Sequence, residues 1–183
     1  MGWVQGILSI LPNAQIVDYY ANDWGKPDLA KAQAKNWFDN GVYAIFSAAG
    51  GTGNGTIAQA KEYRAQGKNV WAVGVDSDQF EDGLYNATES AVLTSMIKRV
   101  ESSTEHALKQ VKAGTFKGEV VEFNTQSGGV GFSAANPALG ADIVAAVNKV
   151  RDDIIAGTVK VIPTYAAARA AGLVPANLQA RDE

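Results

Sequence analysis

The chain has 183 residues, 46% of them hydrophobic, with 16 Lys and Arg against 19 Asp and Glu for a net charge of −3. That size suits one domain or part of a larger two-lobed protein, and the absence of any long basic run argues against nucleic acid as a partner. The lack of cysteine excludes disulfides, thiol catalysis and thiolate metal sites, and no stretch approaches the ~18 apolar residues that a membrane-crossing helix needs.

The opening "MGWVQGILSI" has neither the basic region nor the small-residue cleavage site of a signal peptide. It reads as a helix over 2–11, with Trp3, Ile7 and Ile10 or Leu11 on one side, ended by Pro12 and Asn13. "AQIVDYY" reads as a strand. It runs into the polar turn Ala21 to Lys26, which carries Trp24. Residues 28–39 follow a 3.6 period, and Asn40-Gly41 stops that helix. Val42 to Phe46 is a short buried strand, and the glycine-rich turn Gly50 to Gly55 leads into a helix through about Gln66.

"NVWAVGVDSD" is a third strand ending in acidic residues. After the loop "EDGLYNATES", "AVLTS" is a fourth strand, feeding a helix from about Met96 to Ala113. "GEVVEFNTQSGGVGFSA" reads as a β-hairpin. A helix over 139–156 follows, then an extended piece and a short alanine-rich helix for which Thr164 is a plausible cap. This alternation predicts an α/β fold: a three-layer sandwich around a mostly parallel sheet, followed by a C-terminal hairpin and helices.

In an open α/β sheet, ligands lie beyond the carboxyl ends of the strands. The loops Ala21 to Lys26, Ala48 to Gly55 and Asp76 to Gln79 qualify, as does the exit of "AVLTS". "AAGGTGNG" lacks the Gly-Lys-Ser/Thr ending of a Walker A loop and the G-x-G-x-x-G spacing of a dinucleotide fingerprint. Gly50 and Gly51 then form either a tight turn at a helix start or a wall where backbone approaches a ligand.

Asp76 is either an acceptor for ligand hydroxyls, two of which one carboxylate can hold, or a cap on the following turn. Asp78 is the other candidate for that cap. Lys98 falls in the first turns of its predicted helix, where a cation opposes the helix dipole. It can donate to a ligand oxygen, pair with Asp76, or be a solvated surface lysine; Arg99 shares that ambiguity. Trp24 either packs on a neighbouring helix or stacks on a planar ligand ring. Asn22 and Asp23 can cap the helix or bind ligand polar atoms. His106, the only histidine, reads as helix surface or interface. No nucleophile set, metal cluster or cofactor motif emerges.

The ordered set "DYYANDWGKPDLAKAQA", "AIFSAAGGTGNGTIAQAKE", "VWAVGVDSDQ", "VLTSMIKRV" and "GTFKGEVVEFNTQSGGVGFS" resembles the basic membrane protein (BMP, PnrA-like) family. That resemblance implies a fold like the type 1 periplasmic binding proteins, with two α/β lobes enclosing a ligand. It implies surface lipoproteins that serve ABC importers through a permease partner and bind purine or other nucleosides without chemistry. It casts Asp76 as the ribose-hydroxyl acceptor, Lys98 as a further polar contact, Gly50 and Gly51 as pocket wall, and Trp24 at a position that is often aromatic.

It also implies that the chain corresponds to the latter half of such a protein, without the signal sequence and lipid-bearing cysteine. Residues 1–95 would be the second-lobe core with a preceding helix, and residues 96–183 the segments returning toward a first lobe. Exposed apolar faces would then favour homo-oligomers. Other readings are a truncated lobe with little ligand binding, a related small-molecule sensor domain, and a small hydrolase or transferase using Asp76 and Asp78.

Overall fold

The computed structural model describes residues 1–179. The chain divides into two compact units, one of residues 23–151 and one of residues 1–22 with the chain from Asp152 onward.

The larger unit is built on a four-stranded sheet in the order β1 (Ala44–Phe46), β2 (Trp71–Asp76), β3 (Val92–Lys98), β4 (Val130–Phe132). The first three strands are parallel and β4 is antiparallel to β3, so the expected mostly parallel α/β sheet is present. Two helices, α2 (Pro27–Asp39) and α3 (Asn54–Ala65), cover it. Ala34 and Phe38 of α2 and Ile57, Ala60 and Tyr63 of α3 join Ile45, Val70, Ala72, Ala91 and Val92 in one buried cluster. β2 is buried from Trp71 through Gly74, the near-continuous burial expected of a strand covered on both faces. Two further helices, α4 (Val100–Ala113) and α5 (Ala141–Ile155), carry no buried residue.

The smaller unit contains α1 (Gly2–Ile10) and α6 (Tyr165–Ala170). Val4, Ala168, Val174 and Leu178 form its core. The Gln5 amide donates to the Ile162 carbonyl at 2.7 Å and accepts from the Ile162 N–H at 3.0 Å, mimicking a strand partner for the extended stretch before α6. Thr164 does take the cap position of α6, in extended conformation, but its side chain makes no capping bond.

Three expectations differ from the structure. "AQIVDYY" is not a strand of the sheet, although residues 14–18 alternate between half-buried and exposed as an extended segment does. The strand "AVLTS" runs on to Lys98, and its helix begins only at Val100. Met96, Ile97 and Lys98 pair with β4, and Met96 and Ile97 also pair with β2, so ladder bonds on both sides override the helical period. Of the predicted hairpin, only Val130–Phe132 enters the sheet, antiparallel to β3. Residues 119–123 lie outside any ladder, and Val120 is 101% exposed. The turn between them still closes, because the Asn124 side chain accepts the N–H groups of Gln126 and Ser127 at 3.0 and 3.1 Å.

Candidate functional site

Parallel pairing brings the carboxyl ends of β2 and β3 side by side. Asp76 sits opposite Ile97, one residue before Lys98. The Lys98 ammonium and the Asp76 carboxylate meet at 2.7 Å, with about half of each side chain exposed, at 54% and 48%. Lys98 ends a strand and precedes the helix, so it does not sit in the helix's first turns as expected; its pairing with Asp76 is the contact formed.

Asp76 has φ +71°, a conformation few residues other than glycine adopt. The Ser77 N–H donates to the Val75 carbonyl at 2.9 Å across it, which makes a positive-φ γ-turn, a rare and strained form. Asp78 accepts the Phe80 N–H at 3.1 Å and so takes the turn-capping role.

Beyond these strand ends lies a cleft of about 630 Å³, lined by residues 76–78, 97–101, Phe132 and Ser133. β4 supplies its far wall. Ser133 is pinned there by donating its N–H to the Ser95 carbonyl at 2.9 Å and accepting from the Thr94 hydroxyl at 2.6 Å. The lining holds three carboxylates, Asp76, Asp78 and Glu101, against two cations, Lys98 and Arg99. Arg99 and Glu101 stand 3.9 Å apart. A nearly balanced set of strong donors and acceptors suits an uncharged, hydroxyl-rich molecule, which can both give and receive hydrogen bonds. Among the described residues no group of His, Asp and Glu has the arrangement of a metal site.

Trp24, Gly50 and Gly51 form a second group, outside that lining. Buried Thr52 joins their two loops. Its hydroxyl donates to the Asp23 carbonyl at 2.7 Å and accepts the Lys26 N–H at 2.9 Å, while its own N–H donates to the Trp24 carbonyl at 3.0 Å. Gly50 has φ +53°, and a Cβ there would stand 3.3 Å from the Trp24 ring; one at Gly51 would stand 3.2 Å from the Trp24 carbonyl oxygen. The glycines thus make room for the tryptophan loop. The indole itself is 75% exposed.

Asp23 accepts the Gly25 N–H at 2.8 Å, and this bond, with help from Lys26, holds its carboxyl below the usual range. Asn22 belongs to the smaller unit, has φ +53°, and donates its amide to the Tyr20 carbonyl at 3.2 Å. His106 lies within α4, edge-on to Phe123 with ring centres 5.7 Å apart.

Sequence reasoning missed Phe132, Ser133 and the structural part played by Gln79. The Gln79 side chain accepts the Val75 N–H at 3.0 Å and donates to Asn54 at 3.2 Å, tying the loops that follow β1 and β2. The serine ending "GVGFS" was a usable signal for the cleft wall once that run is placed antiparallel to β3.

The cleft lies beyond the carboxyl ends of adjacent parallel strands, the place where open α/β sheets hold their ligands. The chain belongs to the Bmp family of PnrA-like ABC transporter substrate-binding proteins, whose family model matches residues 1–164. It is 37% identical over 167 residues to a CD4+ T-cell-stimulating antigen of Listeria monocytogenes, covering 87% of this chain and 47% of that one. It is 30% identical over 168 residues to the ABC transporter nucleoside-binding protein BmpA of Lactococcus lactis, with the same coverage of 87% and 47%. The fold matches the crystal structure of ABC transporter solute-binding proteins from Aeropyrum pernix with a TM-score of 0.71, at 22% identity, over 90% of this chain and 53% of that one. The chain thus spans about half the length of the relatives it matches.

Proposed function

We propose that this chain is one lobe of the solute receptor of an ABC importer and holds purine nucleosides by non-covalent contacts. The observation that carries this is the Asp76–Lys98 pair, 2.7 Å apart at neighbouring strand ends and half exposed to the cleft. In this reading one Asp76 carboxylate accepts both ribose hydroxyls, and Lys98 donates to a further ligand oxygen. The exposed face of Trp24, set against Gly50 and Gly51, serves for stacking. The ligand leaves unchanged, handed to a permease partner, and the whole receptor is held at the cell surface by a lipid anchor. Support comes from the balanced polarity of the cleft and from the nucleoside-binding relative.

Calorimetric titration with inosine, guanosine, adenosine and cytidine tests it. Purine nucleosides are expected to bind and to be recovered intact. Asp76→Ala is expected to weaken them by about tenfold to a hundredfold, the worth of hydrogen bonds to a charged group. Silence of the folded chain toward all four, or turnover of any, contradicts the reading.

A further inference from the structure

We propose that Gln79 is the positioning residue for Asp76: it clamps the strained γ-turn at the end of β2, so that the Asp76 carboxylate is presented to the cleft in the free protein. A positive-φ γ-turn at a non-glycine residue persists only when its surroundings over-determine it. Gln79 supplies that constraint from both sides of the turn. Its Oε1 accepts the Val75 N–H at 3.0 Å, fixing the residue before Asp76. Its own backbone N–H donates to the hydroxyl of Ser95 at 3.0 Å, fixing the chain three residues later to the fully buried centre of β3. Its Nε2 donates to Asn54 and Asp82, each at 3.2 Å, which orients the amide so that the oxygen faces Val75.

The strand leaves room for this clamp at Gly74. A Cβ there would stand 2.9 Å from Gln79 Oε1 and 2.5 Å from the Ser95 hydroxyl. Gln79 is absent from the cleft lining, so it acts through Asp76 and not on the ligand.

The role of Asp76 rests on the nucleoside reading above; the clamp is tested without any ligand. Gln79→Met keeps the length of the side chain and loses the acceptor, whereas Gln79→Glu keeps an acceptor for Val75. Amide hydrogen exchange and the Asp76 Cα chemical shift, which reports the left-handed backbone, are measured in the full chain at matched global stability. In Gln79→Met the Val75 amide is expected to exchange about tenfold faster, the equivalent of one lost hydrogen bond, with the Asp76 shift moving toward extended values. Gln79→Glu, combined with Asp82→Asn so that its second oxygen meets a donor and not the Asp82 carboxylate, is expected to restore both. Unchanged Val75 exchange and an unmoved Asp76 shift in Gln79→Met overturn the proposal. Inosine titration of the same proteins separates the two ideas. Wild-type silence with the exchange change present sinks the nucleoside reading alone, and binding that weakens only in Gln79→Met supports both.

Discussion

Asp76 carries its carboxylate on a backbone that glycine would tolerate better, and this separates its structural cost from its proposed use. With φ +71°, replacement by glycine relieves strain of about 1–2 kcal/mol that replacement by alanine retains. Asp76→Gly is therefore expected to melt above Asp76→Ala by that margin in urea unfolding, while both lose the carboxylate. Equal stabilities would mean that the turn is unstrained. Lys98 is the converse case. Its ion pair is half exposed, and such pairs contribute about 0–1 kcal/mol, so Lys98→Met is expected to leave stability within about 1 kcal/mol of wild type. Asp76 was legible because a carboxylate directly after a buried apolar run marks a strand exit, whereas Lys98 was expected in the first turns of a helix and instead ends the next strand. Ser133 and Gln79 were not legible. Ser133 reaches the site through antiparallel pairing between residues far apart in the chain, and Gln79 acts through a side-chain bond to backbone that no spacing announces.

The elements that the sequence marks most clearly are those with one-sided packing and a chemical stop. α2 and α3 fall within a residue or two of their expected spans because an apolar face and a turn residue agree at each. The register of β3 and the fate of the segment around Val120 were illegible, since both depend on which strands end up as neighbours. The α2–α3 contact also makes two predictions. A Cβ on Gly55 would overlap the Pro27 carbonyl oxygen, where neither backbone can give way, so Gly55→Ala is expected to cost about 3 kcal/mol by denaturant titration. Gly118→Ala, with nothing within 4 Å, is its near-neutral control. At the end of α2, Asp39 accepts from Lys35 and from the Tyr63 hydroxyl, each at 2.6 Å. The Lys35 bond first, then the Tyr63 bond, pull its carboxyl from 3.8 to about 2. A depressed folded-state value means stability that is present above about pH 4 and lost as pH falls toward 2. The stability difference between wild type and Asp39→Asn is thus expected to shrink over that window, and to shrink in high salt because the group is exposed. A difference independent of pH would refute the linkage.

Taken whole, the larger unit hides one face of its apolar surface and leaves another open. Neither α4 nor α5 buries a residue, yet Val100, Leu108 and Val111 on α4 and Ile143, Val147 and Val150 on α5 are exposed, Leu108 at 64% and Val111 at 60%. On α4 these three recur at helical spacing, the pattern of a helix that seeks a partner. Six such side chains would contribute about 10 kcal/mol gross if covered, while association costs about 4–15 kcal/mol. The balance permits only weak, concentration-dependent pairing of the chain with itself. Light scattering is accordingly expected to give a mass near the 19.3 kDa monomer when dilute and a rising mass when concentrated. Leu108→Lys with Val111→Lys should hold the monomer at every concentration, because each lysine keeps helix propensity while placing a charge where the contact would need to be dry. A wild-type chain that stays monomeric throughout would mean that these faces remain in water, their exposure a feature of the free unit and not of an assembly.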